Sequence, residues 1–369
     1  MTALYVGLMS GTSMDGIDAA LVDCFTNKPH LVATHSKPWP DSIRQQLQQA
    51  KQLNDEAVFG LHELDRAIAE QFAEATLELL AIAGTDASEV IAIGSHGQTI
   101  RHRPHADKPF SLQLGKGQRI ADLTGIQTVS DFRSADINAG GEGAPLAPAF
   151  HHAVLRSSSE NRYIVNIGGI ANITLLPADE SQPVTGYDTG PGNNLMDGWV
   201  NQHKHLPYDN NGDWARSGQV NDALLASLKA DEYFQLPAPK STGFEHFNQA
   251  WLEQHDVATL PAEDVQATLC ELTAATIADA VIASHTKIDR MLICGGGAHN
   301  TYGLERLQSL LSGIAVESTQ MHGVHPDWVE AMALAWLAQR YIENKPGNLP
   351  SVTGARDAVV LGSLSSPDS

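Results

Sequence analysis

The amino-acid sequence predicts an α/β protein built from two lobes. The chain of 369 residues is long enough for two domains of about 150 residues each. A strand, a glycine-rich turn and a second strand occur near the N-terminus and again about 160 residues later, which indicates an internal repeat. Apolar strands and amphipathic helices follow one another along the rest of the chain, and this succession is typical of α/β folds.

The first repeat unit lies at the N-terminus. An apolar strand at 4–9 runs into the turn Ser10–Gly16, and a second strand follows at 17–22. Apolar residues at three- and four-residue spacing predict a long helix that Asp55 and Glu56 introduce and Gly84 closes. Further elements are expected downstream: a strand at 91–100, an extended segment that becomes helical at 111–125, and a strand at 128–132.

The second repeat unit follows a change of composition. Gly, Ala and Pro dominate at 133–150, which predicts a crossover between the lobes, and the turn Gly168–Asn172 then separates two strands. The predicted lobes are 1–132 with 341–369, and 133–340. The remaining expected elements are a strand at 184–187, a helix at 193–202, a helix at 261–285, a strand at 290–294, a helix at 303–312 and a helix opening at Val329.

Composition excludes several classes of protein. The 43 acidic and 23 basic residues give a net charge of -20, which repels nucleic acids and anionic membrane surfaces. Cys24, Cys270 and Cys294 are far apart, so no disulfide framework is expected. No apolar run approaches the roughly 20 residues of a membrane span, and no basic leader precedes an apolar stretch. We therefore expect a cytoplasmic protein with no nucleic-acid or membrane partner.

Three glycine-rich loops each follow an apolar strand, at 10–16, 168–172 and 295–300. Glycine lets the backbone approach a ligand closely, and the exposed N–H groups of such loops form an anion-binding concavity. None of the loops matches GxxxxGK followed by Ser or Thr, or GxGxxG at a strand-to-helix junction. A single glycine loop is often only a turn, but three such loops, two of them in hairpins at repeated positions, predict that hairpins bind a phosphorylated ligand.

Four acidic residues are candidates for chemistry. Asp188 follows a strand and can accept a proton from an attacking nucleophile, or it can cap the helix that starts near Asn194. Asp18 lies between apolar residues and therefore needs a partner or a function. Asp15 is equally well explained as a turn residue. Glu330 is either a second acid of the same pocket or an acid in the first turn of a helix.

Several motifs resemble those of the anhydro-N-acetylmuramic acid kinases, a family of the actin, hexokinase and heat-shock-chaperone ATPase superfamily. The resemblance spans nearly the whole chain. Phe244 departs from it, because the family usually has arginine after the STG sequence. The motifs are MSGTSMDGID (9–18), SHGQT (95–99), NIGGIAN (166–172), DTGPGN (188–193) and KSTG (240–243).

The resemblance implies an actin-like, ribonuclease H-like ATPase fold with the nucleotide in the cleft between the lobes. It implies a homodimeric enzyme that uses ATP and Mg²⁺. This enzyme opens the 1,6-anhydro ring of anhydro-N-acetylmuramic acid with water and phosphorylates O6. Asp188 would activate the water, and Glu330 would be the second catalytic acid. The product, N-acetylmuramic acid 6-phosphate, belongs to cell-wall recycling.

Two other functions stay open from the residues alone: a generic carbohydrate kinase of the same fold, and a nucleotide-gated ATPase module. On the resemblance, Mg²⁺ is expected to be held through water by Asp15 and Asp18. The expected ATP-binding residues are those of the glycine loops and their flanks: Gly11, Thr12, Ser13, Met14, Asp15, Gly16, Ile17, Asp18, Gly168, Gly169, Asn172, Gly190, Gly192, Gly295, Gly296 and Gly297.

The expected substrate contacts come from two segments. Histidines in SHGQTIRHRPH (95–105) do not have the spacing of a metal site. His96 and Gln98 are instead expected to hydrogen-bond the sugar. Arg133 and Asp136, at the predicted crossover, are expected to line the substrate site.

Overall fold

The computed structural model describes residues 2–11, 14–26, 28–284 and 286–368. The predicted ATP-binding residues Thr12 and Ser13 thus lie outside the described residues. The chain divides into two compact units, which we call the first unit (Met1–Val154 with Trp328–Ser369) and the second unit (Leu155–Asp327).

Strands and helices are numbered in chain order over the described residues. The strands are β1 (Leu4–Ser10), β2 (Gly16–Asp23), β3 (His30–Pro38), β4 (Val90–Arg103), β5 (Phe110–Leu114), β6 (Thr128–Ser130), β7 (Arg162–Ile167), β8 (Ile170–Leu176), β9 (Thr185–Pro191), β10 (Arg290–Cys294), β11 (Ala315–Ser318) and β12 (Ser363–Ser365). The helices are α1 (Asp41–Gln52), α2 (His62–Ala83), α3 (Gly117–Thr124), α4 (Ser134–Asn138), α5 (Ala147–Leu155), α6 (Asn194–Lys204), α7 (Asp213–Ser217), α8 (Asp222–Lys229), α9 (Glu232–Gln235), α10 (Gln249–Leu252), α11 (Ala262–Ala283), α12 (Thr301–Leu310), α13 (Val329–Ile342) and α14 (Pro350–Thr353).

The first unit is built on a mixed sheet of order β12-β6-β4-β1-β2-β3, with β5 paired to β4. The strands β1, β2 and β3 are antiparallel neighbours, because short turns connect them. The strand β4 runs parallel to β1 and is reached through α1 and α2, as a parallel connection requires. This arrangement places the end of β1 beside the middle of β4, with Ser10 opposite Gln98.

The second unit repeats this design with the order β11-β10-β7-β8-β9. Here β7, β8 and β9 are antiparallel neighbours, and β10 and β11 run parallel to β7. The central strand, its hairpin partner and the parallel strand on its other side have the same relation in both sheets. The internal repeat that the sequence predicts is therefore a repeat of sheet topology.

The helix α13 covers the centre of the first sheet. Gly7 of β1 and Gly94 of β4 are paired in register, and a Cβ on either would collide with the backbone of α13 near Ala331 or Leu334. Two glycines side by side thus allow the helix to lie directly on the strands. As a result Glu330, in the first turn of α13, is positioned by the first unit.

The boundaries of the units differ from those predicted. The segment 133–150, expected to be a crossover, contains α4 and the start of α5 and lies in the first unit. The helix α13, assigned to the second lobe from the sequence, also lies in the first unit because it packs on β1 and β4. The long helix α2 begins at His62 rather than near Asp55, since a 3₁₀ turn occupies Ala57–Gly60.

The core helix of the second unit is α11. It packs against α6, α7, α8 and α12 and against β9. Its 22 residues are long and apolar enough to cross a membrane, but 89% of its most apolar stretch is buried in the folded protein. Burial on every side explains this uniform hydropathy, because a helix surrounded by protein needs no polar face.

Candidate active site

The hairpin turn of the first unit is closed by Gln98. This side chain is fully buried, and its Nε2 donates to the carbonyl of Gly11 over 3.1 Å. The Ser10 hydroxyl lies 2.7 Å from both Gln98 Oε1 and the Gly16 carbonyl, so it can donate its one proton to either. Trp39 Nε1 donates to the same hydroxyl. Gln98, predicted to bind the sugar, is thus bonded to the start of the glycine turn, and the Ser10 hydroxyl lies between Gln98 and the Gly16 carbonyl.

Two carboxylates lie near this hairpin in the first unit. Asp18 is exposed on β2, and Ser36 of β3 donates to its Oδ1 over 2.6 Å. Glu330 is an exposed residue, but the protein atoms packed around its carboxylate replace water there and raise its pKa. The negative charge of Asp18 raises the pKa of Glu330 further, whereas the charge of Arg133 lowers it. The three residues therefore form one electrostatic group.

His96 and Arg133 form a second polar pair. Arg133 Nη2 and Nε donate to His96 Nε2 over 2.8 and 3.2 Å, so His96 Nδ1 carries the proton and donates to the Gly97 carbonyl. Burial, together with the charge of Arg133, lowers the pKa of His96 to about 3 and keeps the ring neutral. The guanidinium also donates through Nη1 to the Gly143 carbonyl. His96 thus orients Arg133.

Asp136 has a structural environment. It is fully buried, and its Oδ1 accepts from Asn348 Nδ2 and from Thr353 Oγ1, each over 2.7 Å. Its Oδ2 accepts from the Gly143 N–H over 2.8 Å. Both carboxylate oxygens are occupied inside the first unit, so the structure removes the reason for expecting Asp136 to contact substrate. It anchors the loop around Gly143 to the C-terminal segment.

The oxygen donors of the first unit suit a hard cation. Asp15 is exposed beside the hairpin turn, and Asp18 follows it on β2 with the Glu330 charge nearby. Mg²⁺ prefers one or two carboxylates and keeps several of its waters. Within the described ranges, which omit Thr12 and Ser13, no group of three or more His, Cys, Asp or Glu side chains forms a ready-made metal site. The donor set thus fits a largely hydrated ion.

The glycine hairpin of the second unit is tied to the segment that begins α6. The Gly169 carbonyl accepts from the N–H groups of Gly192 and Asn194, and the Gly168 carbonyl accepts from that of Asn193. A Cβ at Gly192 would collide with the Gly168 carbonyl, so this close approach requires glycine. The predicted ATP-binding positions 168–169 and 190–192 therefore form one connected turn.

The third glycine loop packs on the same region of the second unit. Gly295 has φ +76°, in the left-handed region that favours glycine. A Cβ there would meet Asn166 Oδ1, and a Cβ at Gly297 would meet the Ile167 side chain. The loop Gly295–Gly297 thus lies directly against the end of β7. Both glycine elements predicted for this unit therefore adjoin the end of β7.

Asp188 lies on β9 beside these loops. It pairs in register with Asn172 of β8, which pairs with Asn166 of β7, so the three side chains lie on one face of the sheet. Burial raises the pKa of Asp188 to about 6. The Thr242 N–H donates to its Oδ2 and lowers the pKa, while the charge of Glu245 raises it. This carboxylate can therefore take up a proton near neutral pH.

The segment Lys240–Gly243 holds Asp188, a role that sequence reasoning missed. The Asp188 N–H donates to the Lys240 carbonyl over 3.0 Å, and the Thr242 N–H donates to Asp188 Oδ2 over 3.0 Å. The motif KSTG was visible, but its contact with a strand more than fifty positions earlier was not. Phe244, next in the chain, covers Gly169, where a Cβ would collide with its ring.

Two sheets of one topology, each with a glycine hairpin, and a carboxylate fixed beside the second hairpin form an α/β fold with groups suited to phosphate binding and proton transfer. A family model described as anhydro-N-acetylmuramic acid kinase matches residues 3–367. The chain belongs to the anhydro-N-acetylmuramic acid kinase family.

Three relatives that carry this name are similar over nearly their whole length. The protein of Xylella fastidiosa is 50% identical over 366 residues, covering 98% of this chain and 96% of its own. That of Xanthomonas campestris pathovar campestris is 50% identical over 369 residues, covering 98% and 97%. That of Coxiella burnetii is 47% identical over 361 residues, covering 98% and 96%.

Proposed function

We propose that this protein is an ATP-dependent kinase of cell-wall recycling. It opens the 1,6-anhydro ring of anhydro-N-acetylmuramic acid with water and phosphorylates O6, giving N-acetylmuramic acid 6-phosphate. Family membership supplies the substrate, and one observation supports the chemistry most directly. That observation is the Asp188 carboxylate, half-buried beside two glycine loops with one oxygen fixed by the Thr242 N–H.

Asp188 acts as the general base in this proposal. The Thr242 N–H occupies Oδ2, while Oδ1 has no hydrogen-bond partner among the described residues and is free to take a proton from water. As the water oxygen bonds to C1, the bond from C1 to O6 breaks. The freed O6 attacks the γ-phosphorus of ATP, and ADP leaves. A pKa of about 6 leaves most Asp188 carboxylates ionised at pH 7 yet basic enough to accept the proton.

The glycine loops bind ATP in this proposal. Backbone N–H groups of 11–16, 168–169 and 295–297 would hold the phosphates, and the turn at 190–192 keeps the second hairpin in place. Asp15 and Asp18 would hold Mg²⁺ through water, and the ion supplies positive charge for the transferred phosphoryl group. Glu330 stays the second candidate acid because its raised pKa suits proton transfer.

Arg133 is the proposed contact for the acidic group of the sugar. N-acetylmuramic acid derivatives carry a carboxylate, and a guanidinium pairs with a carboxylate through two parallel N–H bonds. Burial lowers the pKa of Arg133 only to about 10, so the group stays positive at neutral pH. His96 would act by orienting this guanidinium. A cytoplasmic location and a homodimeric state follow from the resemblance alone and complete the proposal.

The substitution Asp188→Asn tests the role of the base. It keeps the size of the side chain and an acceptor for the Thr242 N–H, but it cannot take a proton. General base catalysis supplies about 10²–10⁴-fold, so kcat should fall by that order with little change in KM. The variant Asp222→Asn is the matched control, because Asp222 is exposed in the first turn of α8. Its kcat should match that of the unsubstituted enzyme.

Isotope labelling separates the ring-opening reaction from plain phosphorylation. Product made in ¹⁸O-labelled water should carry the label at the C1 hydroxyl, after correction for exchange during mutarotation. Unlabelled product with an essential Asp188 would indicate a generic carbohydrate kinase. Turnover of ATP that does not depend on the sugar would indicate a nucleotide-gated ATPase. Full activity of Asp188→Asn would remove Asp188 from the mechanism and leave Glu330 as the candidate.

A further inference from the structure

Residues distant in the chain hold the backbone on both sides of the Asp188 carboxylate. The Tyr233 hydroxyl donates to the Asp188 carbonyl over 2.7 Å, and the Asp188 N–H donates to the Lys240 carbonyl over 3.0 Å. The Thr242 N–H then fixes Oδ2. The main chain and the side chain of Asp188 are therefore both oriented by the stretch from Tyr233 to Thr242.

The Lys240 side chain closes this arrangement into a ring. Its Nζ donates to the carbonyls of Tyr233 and Phe234 over 3.0 and 3.4 Å, and it lies 4.6 Å from the centre of the Tyr233 ring. Lys240 thus bonds to Tyr233 through its side chain and to Asp188 through its backbone, while Tyr233 bonds to Asp188. Each of the three residues contacts the other two.

The ammonium group of Lys240 is bonded to carbonyl oxygens and lies over an aromatic ring. The side chain is half-buried, which lowers its pKa, and no carboxylate lies within ion-pair distance of it among the residues that the structure describes. A buried ammonium is costly unless its protons are bonded, so the carbonyls and the aromatic face stabilise it. Such a group holds two backbone segments together more firmly than a neutral side chain would.

We propose that Lys240 is a positioning residue for Asp188. It fixes the segment 240–243 so that the Thr242 N–H keeps Oδ2 and Oδ1 faces the attacking water. The Thr242 hydroxyl is buried with no hydrogen-bond partner among the residues that the structure describes, which suits a contact with a substrate oxygen beside the carboxylate. The inference rests on the proposed role of Asp188 as the base, and it adds the residue that sets the orientation of that base.

The variants Lys240→Met and Lys240→Arg test this proposal. Methionine keeps the aliphatic length but loses the donors, so the segment loosens and kcat should fall by roughly 10- to 100-fold, as for small misplacements of a catalytic group. KM for ATP and for the sugar should change by less than about twofold, because neither substrate would contact Lys240. Arginine keeps the charge and the donors and should recover most of kcat.

The dependence of kcat on pH distinguishes positioning from loss of structure. The bond from Thr242 lowers the pKa of Asp188, whereas burial and the charge of Glu245 raise it. When Lys240→Met weakens the bond from Thr242, the pKa of Asp188 should rise and the acidic limb of the profile should move to higher pH. Tyr233→Phe, which removes the hydroxyl that bonds to Asp188, should move the limb in the same direction.

A lysine elsewhere in the second unit provides the matched control for Lys240. Lys229 pairs with Asp279 at 2.6 Å elsewhere in the second unit, so Lys229→Met should leave kcat and the pH profile unchanged. A raised KM for ATP with an unshifted profile in Lys240→Met would overturn the proposal and assign Lys240 to the phosphates. A fall in the kcat of Lys240→Met that is matched by loss of folded protein would also overturn the proposal, because Lys240 would then serve stability alone. Full activity in Asp188→Asn would overturn the proposed base instead.

Discussion

The raised pKa of Asp188 predicts that this carboxylate, the proposed general base, lowers the stability of the folded protein near neutral pH. The pKa is 3.8 for the free group and about 6 in the protein. Between these values the folded protein binds more protons than the unfolded chain does. Stability therefore falls as pH rises through this window, and the loss is complete above pH 6. A difference of about two pKa units corresponds to about 3 kcal/mol.

The substitution Asp188→Asn should remove this cost. Asparagine is uncharged at every pH, and its side-chain oxygen can still accept from the Thr242 N–H. We expect the variant to be more stable than the unsubstituted protein by up to about 3 kcal/mol at pH 8, and by about half as much at pH 5. The variant that is expected to lose most of its activity should thus be the more stable protein, and its gain in stability should grow with pH.

Hydrogen exchange of the ligand-free protein measures this effect in the unit concerned. Because a protein of two units need not unfold in one step, exchange in peptides from Leu155–Asp327 is more informative than a single melting temperature. Compared with the unsubstituted protein, Asp188→Asn should exchange more slowly at both pH values. This difference, corrected for intrinsic exchange rates, should be larger at pH 8 than at pH 5. Asp222→Asn removes an exposed helix acid and should bring no gain. A variant as stable as the original protein at both pH values would refute the reasoning.

Two further predictions concern the first unit. Gly94→Ala places a Cβ against the backbone of α13 and should lower the free energy of unfolding by about 3 kcal/mol in a urea titration, whereas Gly60→Ala, with open space around it, should not. Gln98→Leu removes the bonds to Gly11 and Ser10 and should weaken ATP binding by about tenfold in calorimetry. Gln113→Leu, which loses only contacts to Thr99 and Ser111, should leave ATP affinity unchanged. A greater loss of ATP affinity in Gln113→Leu than in Gln98→Leu would contradict the role of Gln98.

Local patterns in the sequence were sufficient to predict the repeated hairpins. The strands β1, β2, β7 and β8 and the loop at Gly295 were predicted where the structure has them, because an apolar run beside a glycine turn is read from neighbouring residues. The helix α13 was also predicted as a helix. Its membership of the first unit was not, since that depends on Gly7 and Gly94, which lie hundreds of residues earlier.

Side-chain roles were harder to predict than elements. Asp136 and Gln98 are polar residues next to a candidate site, and from the sequence such residues are expected to contact a ligand. The partners that occupy Asp136 are Asn348 and Thr353, separated from it by 212 and 217 positions. Gln98 bonds to Ser10 across 88 positions. Only the pairing of distant segments shows that a polar side chain is already bonded within the fold, and neighbouring residues in the sequence carry no sign of that pairing.

The position of α13 in the chain has a consequence for how the protein is made. The strands β1 and β4 leave the ribosome early, but the helix that covers them is translated only after the whole second unit. At about 5–20 residues per second, the face of the first sheet around Gly7 and Gly94 stays uncovered for roughly 12 to 50 seconds before α13 is made. The second unit, continuous in sequence, can fold during this wait. A chain that stops before Val329 would therefore release a folded second unit attached to an open, aggregation-prone sheet.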